Sequence, residues 1–113
     1  MTFTIDLGSI TFISKGKKRA TVKIAGYMES CVSETSKDNF VRGLDTVKGF
    51  KPKGRTERAN AFDIVIGKLT ITNEETGDST SDQGKTIEGC NLHEIVGMQR
   101  EVVQLLENRL TNH

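Results

Sequence analysis

The chain has 113 residues, of which 35% are hydrophobic and 27% are charged, and its formal net charge is +1. This composition is ordinary for a folded globular protein and excludes an intrinsically disordered chain, and the length suits one domain. No apolar run approaches the ~18 residues of a membrane-spanning helix, and the first residues lack the regions of a signal peptide. We therefore expect a single globular domain over residues 1–113, cytoplasmic and without a membrane partner.

The N-terminal third of the chain predicts antiparallel strands. Apolar and polar residues alternate over residues 2–7, as in a half-buried strand. Gly8 then shifts the alternation to even positions, which indicates a bulge or a sharp bend. A turn at residues 15–18 and renewed alternation over residues 22–28 complete a set of two or three consecutive strands.

One short helix is predicted in the middle of the chain. Ser36 can accept hydrogen bonds from the first free backbone N–H groups of a helix. Phe40, Leu44 and Val47 follow at helical spacing. Gly49 is placed to end the helix.

A second strand region follows the helix. Residues 62–72 are rich in β-branched side chains, which favours a strand over a helix. The polar residues 73–83 predict a loop, and residues 85–88 can return as a strand to form a hairpin. Together the elements predict an α+β fold of about five strands, either as an antiparallel sheet or as a small, partly open barrel.

The C-terminal segment predicts an amphipathic helix. Asn91 can cap the helix, and Glu94, three residues later, can complete a capping box with it. One apolar stripe is expected from Leu92, Ile95, Val96, Val102, Val103, Leu106 and Leu110. The helix either closes the core of the domain or offers a second chain the residues Val102, Leu105, Leu106 and Leu110. Gln99 interrupts the stripe, which argues against a long coiled coil, and no internal repeat is apparent.

The sequence offers no convincing catalytic, metal or nucleotide site. Residues 84–86 match the end of a phosphate-binding loop, but Ser79 stands where that loop needs a glycine. The paired spacing of a structural zinc site is missing among Cys31, Cys90, His93 and His113. Both cysteines are expected as reduced, partly buried thiols. We expect no enzyme activity, no cofactor, no metal and no small-molecule substrate.

Two basic clusters suggest a contact surface. Residues 48–58 place Phe50 among cations, and a second cluster precedes residue 20. Residues 1–58 hold twelve Lys or Arg against six Asp or Glu, whereas residues 59–113 hold four against nine. Cations that neutralise phosphates, with Phe50 stacked on a base, would suit nucleic acid on an OB-like fold. The candidate partner-binding residues are Lys17, Lys18, Arg19, Phe50, Lys51, Lys53, Arg55, Arg58, Leu106 and Leu110.

The hairpin from Phe62 into Gly89–Leu92 resembles subunits of phage-like tail tubes. The resemblance covers a short part of the chain and carries no functional residue across. The leading expectation is a non-enzymatic protein that acts through protein–protein contacts, as an inhibitor, an adaptor or an assembly subunit. Its partner is another protein or a second copy in a homo-oligomer, with nucleic acid as the alternative.

Overall fold

A computed structural model describes residues 1–15, 21–24, 26–53 and 61–111, with the side chains of Thr21 and residues 108–111 left out. These residues form an α+β fold of eight strands and two helices. In chain order the elements are β1 (Thr2–Leu7), β2 (Ile10–Ser14), β3 (Thr21–Ile24), β4 (Tyr27–Ser33), α1 (Glu34–Lys48), β5 (Phe62–Ile66), β6 (Leu69–Asn73), β7 (Ser79–Asp82), β8 (Lys85–Cys90) and α2 (Leu92–Thr111).

The strands form two antiparallel sheets of four, in the orders β4-β1-β6-β7 and β3-β2-β5-β8. The two orders match position by position, because β1 continues into β2, β3 into β4, β5 into β6 and β7 into β8. The pairing register is also the same in both sheets: Leu7 lies opposite Leu69, and Ile10 lies opposite Ile66. The chain therefore makes four long passes, and each pass contributes one strand to each sheet. We call these passes the chain paths. The α+β class is confirmed, while five strands and a partly open barrel are wrong in detail.

A glycine lies where each path passes between the sheets, at Gly8, Gly26, Gly67 and Gly84. A Cβ atom on Gly84 would lie 2.2 Å from the carbonyl oxygen of Ile66, so neighbouring backbones approach too closely for a side chain. The bend predicted at Gly8 is confirmed. Residues 22–28 and residues 62–72 are each predicted as one strand. In the structure each range divides into two strands in different sheets, beside Gly26 and Gly67 respectively.

The chain contains an internal repeat: β1–β4 with α1, then β5–β8 with α2. Position 10 at the start of β2 corresponds to position 69 at the start of β6, and position 21 of β3 corresponds to position 79 of β7. The pairing of β1 with β6 is equivalent to that of β5 with β2, as a local two-fold axis between the repeats requires. No internal repeat is apparent in the sequence, because the two halves share few identical residues, and the repeat shows only in the order and pairing of the elements.

Both helices begin at a side-chain cap. Ser33, rather than Ser36, caps α1, and its Oγ accepts the backbone N–H of Ser36 at 3.2 Å. The predicted end of α1 is confirmed, since Gly49 N–H donates to the carbonyl of Asp45 at 2.9 Å. The predicted capping box of α2 is confirmed as well. Glu94 N–H donates to Asn91 Oδ1 at 2.8 Å, and Asn91 N–H donates to Glu94 Oε1 at 2.9 Å.

One hydrophobic cluster joins the two repeats. It takes Phe40, Leu44 and Val47 from α1, and Ile95, Met98 and Val102 from α2, together with apolar side chains of the strands. The C-terminal helix therefore packs on the core of its own chain. Val102 is fully buried and Leu105 and Leu106 are partly buried against the cluster, so the predicted set of Val102, Leu105, Leu106 and Leu110 is not an open surface as a whole, although Leu106 keeps part of its side chain exposed. Neither helix is long and apolar enough to cross a membrane.

Strand β7 lies inside the segment predicted as a loop. Its residues, Ser79–Asp82, are all polar and exposed, so no hydrophobic alternation marks them as a strand. Cross-strand hydroxyl contacts accompany its pairing with β6: Thr70 and Ser81 lie 3.1 Å apart, and Thr72 and Ser79 lie 2.7 Å apart.

Candidate functional site

The largest exposed apolar feature among the described helices is a row of side chains on α2. Leu92, Val96 and Val103 are 63%, 47% and 45% exposed, and we call these three residues the outer stripe. The single stripe predicted for this helix is therefore wrong. It divides into a buried face, with Ile95 and Val102, and the outer stripe, whose side chains are about half exposed.

The first repeat provides an internal reference for the outer stripe. Because Ser33 and Asn91 are equivalent caps, positions 34, 38 and 45 of α1 correspond to positions 92, 96 and 103 of α2. In α1 these positions hold Glu34, Asp38 and Asp45, all exposed. The same place on the fold is thus acidic in one repeat and apolar in the other. Charged residues are the ordinary choice for a solvated helix face, so the apolar choice on α2 needs a cause.

The outer stripe follows the spacing of a helix–helix seam. Leu92, Val96, Gln99, Val103 and Leu106 are separated by four, three, four and three residues. This alternation keeps side chains facing a second helix in a coiled coil. Gln99 and Leu106 are partly exposed, so all five positions are open to contact to some degree.

A groove of about 530 Å³ lies on the other flank of α2, beside the C-terminal end of α1. Val47, Phe50 and Met98 supply apolar lining, and Glu94 and Glu101 supply carboxylates. Such a volume is in the range of small-ligand sites, although a few convergent polar groups are also needed there.

Broken symmetry between the repeats explains the groove. In one half, Leu105 packs so closely on Gly43 that a Cβ at Gly43 would lie 2.6 Å from Leu105 Cδ1. The equivalent pair in the other half is Val47 and Glu101, which both line the groove. The shorter valine and the added carboxylate leave that place unfilled.

The described part of the basic cluster at residues 48–58 lies against the groove. Phe50 is partly buried and packs on the core, and Lys53 N–H donates to Glu94 Oε2 at 2.8 Å. Lys51 is exposed. The ring of Phe50 therefore does not stand free on the surface, as stacking on a base would require.

The remaining predicted partner-binding residues are scattered or undescribed. Leu106 lies on α2 at the margin of the core, and the side chain of Leu110 is outside the described residues. Also outside the described residues are Lys17, Lys18, Arg19, Arg55 and Arg58. Among the described members, the structure brings Phe50 and Lys53 together, at the groove, while Leu106 stands apart from them on the other flank of α2.

The exposed thiol belongs to a β-bulge. Cys31 has a positive φ of 59° where β4 bulges against β1, and its N–H donates to Glu74 Oε2 at 2.7 Å. Thr4 and Thr2 donate to the same carboxylate at 3.0 and 3.2 Å. The hydrogen bond from the Cys31 backbone, followed by those from the threonines, lowers the pKa of Glu74. Glu74 thus ties the bulge to the β6–β7 turn.

The second repeat holds its bulge in the same way. Gly89, equivalent to Cys31, has a φ of 81°, and its N–H lies 3.4 Å from Asp63 Oδ1. Asp63 is buried and is paired with Lys15 at 2.9 Å. Both carboxylates therefore serve the backbone of a bulge, which is a structural use of these acids.

The second thiol is buried and protonated. Cys90 is fully buried, and burial, with the negative charges of Glu94 and Asp63, raises its pKa to about 11. The neutral thiol predominates at physiological pH, so Cys90 and the nearby His93 do not form a thiolate pair. Both cysteines are free, but Cys31 is exposed and Cys90 is buried, rather than both partly buried. Within the described ranges, no group of three His, Cys, Asp or Glu could hold a metal ion.

Comparison with known proteins adds no relative. Neither the protein families, nor the curated proteins, nor the solved structures contain a match to this chain.

Proposed function

We propose that this chain is a non-enzymatic binding protein whose partner docks on the outer stripe of α2. The observation that carries the proposal is the contrast between repeats: α2 bears Leu92, Val96 and Val103 where α1 bears acids. Complete burial of an exposed side chain of this kind is worth ~1.5–3 kcal/mol, and the exposed part of each of these three would contribute roughly half of that to a partner. An inhibitor, an adaptor and an assembly subunit could all use this surface, and the partner is another protein or a second copy.

The separation of charge along the sequence gives little support to this proposal. In each sheet the two strands of the basic first half lie next to each other, beside the two strands of the acidic second half, but several of the clustered cations lie outside the described residues. Electrostatic steering by a simple dipole is therefore not part of the argument.

The nucleic-acid alternative is less well supported by the described residues. Phe50 packs on the core and the backbone of Lys53 holds a carboxylate, although the remaining cations of the two clusters lie outside the described residues. The absence of enzyme activity is part of the proposal, because Glu74 and Asp63 are engaged by bulges and Cys90 is a buried neutral thiol. Free thiols suit a reducing compartment, so we propose a cytoplasmic protein.

A size-exclusion experiment on extracts of cells that express the chain tests the proposal. Wild type is expected to elute ahead of the monomer, and Leu92→Glu/Val96→Asp/Val103→Asp, which gives α2 the residues of α1, is expected to elute as the monomer. Nuclease treatment and the control variant Lys51→Gln/Lys53→Gln/Arg55→Gln should leave the wild-type position unchanged. Elution that moves to the monomer after nuclease would favour nucleic acid instead.

A further inference from the structure

We infer that the partner on the outer stripe is a second copy of the chain, with the two α2 helices packed antiparallel about a two-fold axis. This inference rests on the proposed function and names the occupant of the same surface. An isologous contact needs a self-complementary patch. Two features of α2 meet that requirement, and a third sets the strength of the contact.

The first feature is the fit of side-chain sizes. In an antiparallel pair centred between Gln99 and Val103, Val96 packs on Leu106 of the second copy, and Gln99 packs on its Val103. Each small valine meets a longer side chain, so the layers have similar volumes. A parallel pair would place valine against valine and glutamine against glutamine, which gives uneven layers.

The second feature is the charge beside the seam. Arg100 and Glu107 are exposed and follow Gln99 and Leu106 on the same flank. Helical side chains lean towards the N-terminus of their own helix, so in the antiparallel pair Arg100 of each copy reaches Glu107 of the other. Two symmetric contacts of opposite charge result, and they select the orientation more than they add affinity.

The third feature is the amount of surface involved. The seam from Leu92 to Leu106 is about 21 Å long, at 1.5 Å per residue. One helix pair of this length buries less than the ~1,200 Å² at the lower end of stable interfaces. Gln99 lies at the centre of the seam, where a polar side chain lowers the stability of the helix pair. The same side chain disfavours a longer coiled coil. We therefore expect a dimer that dissociates in the micromolar range.

Light scattering of the purified chain from nanomolar to millimolar concentrations tests this inference. The mass should rise from 12.5 kDa to twice that value, and the triple variant of the outer stripe should remain monomeric throughout. Arg100→Glu should shift dimerisation to higher concentration, and Arg100→Glu/Glu107→Arg should restore it. A wild-type chain that stays monomeric up to millimolar concentration would overturn the inference that the partner is a second copy. The proposed function would still stand if extracts showed a complex that the triple variant loses.

Cysteine cross-linking tests the direction of the helices. In a Cys31→Ser background, a mixture of Gln99→Cys and Val103→Cys chains should give a mixed disulfide dimer upon oxidation. Gln99→Cys alone should give little dimer. Efficient cross-linking of Gln99→Cys with itself, at the expense of the mixed species, would show a parallel pair and overturn the antiparallel arrangement.

Discussion

Val96 in α2 and Asp38 in α1 occupy equivalent positions of the two repeats, and both side chains are exposed, yet one is apolar and the other is charged. The repeats agree where the fold demands it, in the caps, the bulges and the glycine bend. They differ on the outer face of the helix. The outer face of the helix is exposed in both repeats, so folding does not require apolar residues there, because solvated charged side chains satisfy the fold equally well.

The bend between the sheets predicts opposite effects for two glycine-to-alanine substitutions. Gly84→Ala would place a Cβ 2.2 Å from a backbone carbonyl, whereas a Cβ at Gly97 meets nothing within 4 Å. Gly84→Ala should therefore lower the free energy of unfolding by ~2–4 kcal/mol. Gly97→Ala, in the interior of α2, should raise it by ~0.4–1 kcal/mol. Chemical denaturation measures both, and a neutral Gly84→Ala would contradict the close approach of the paths.

The two bulges predict a reciprocal pair of substitutions. Cys31 and Gly89 share a positive φ, which a side chain tolerates poorly. Gly89→Ala should destabilise the fold by ~1–2 kcal/mol, since no steric contact adds to the backbone cost. Cys31→Gly should stabilise it by up to ~1 kcal/mol, after the added chain entropy of glycine is deducted. Melting temperatures that move in the same direction would contradict equivalent bulges.

The carboxylate of Glu74 predicts a pH-dependent contribution to stability. Its pKa is lowered from 4.5 in the folded state, so the ionised form is favoured by folding. That contribution is fully present above pH 4.5 and is lost as pH falls through the lower folded pKa. Glu74→Gln should therefore be less stable than wild type at pH 7, and the difference should vanish in acid. Glu75→Gln controls for the change in net charge, and an equal loss in both variants would argue against the bulge contact.

The two thiols predict different reactivity towards an aromatic disulfide reagent. Cys31 is exposed and Cys90 is buried, with a pKa raised to about 11. One thiol should react at pH 8 in the native protein, and the second only after denaturation. Cys31→Ser should then show no native reaction, and a residual native reaction in that variant would mean that Cys90 is accessible.

The sequence predicts the elements that carry strong local signals. Alternation in β1 and the phase shift at Gly8 record which face of the chain is buried, and the capping box of Asn91 and Glu94 is a contact between residues close in sequence, so a linear pattern contains all three. Strand β7 has no apolar side chains, so pairing alone defines it. The outer stripe is visible as apolar residues, but only packing shows that Val102 is buried while Val103 is exposed. The repeat is hidden because the two bulges are held by carboxylates from different places, Glu74 after β6 in one case and Asp63 in β5 in the other.

Accessibility of position 96 in living cells tests the central claim most directly. Val96→Cys and Asp38→Cys, each in a Cys31→Ser background, place a thiol at equivalent sites of the two repeats, one on the outer stripe and one on its acidic counterpart. Their labelling by a membrane-permeable maleimide is compared in cells and in dilute purified protein. We predict that Val96→Cys is labelled several-fold more slowly in cells, whereas Asp38→Cys is labelled at the same rate in both. Equal rates for Val96→Cys in cells and in dilute solution would show that nothing covers the outer stripe and would contradict its role as a docking surface.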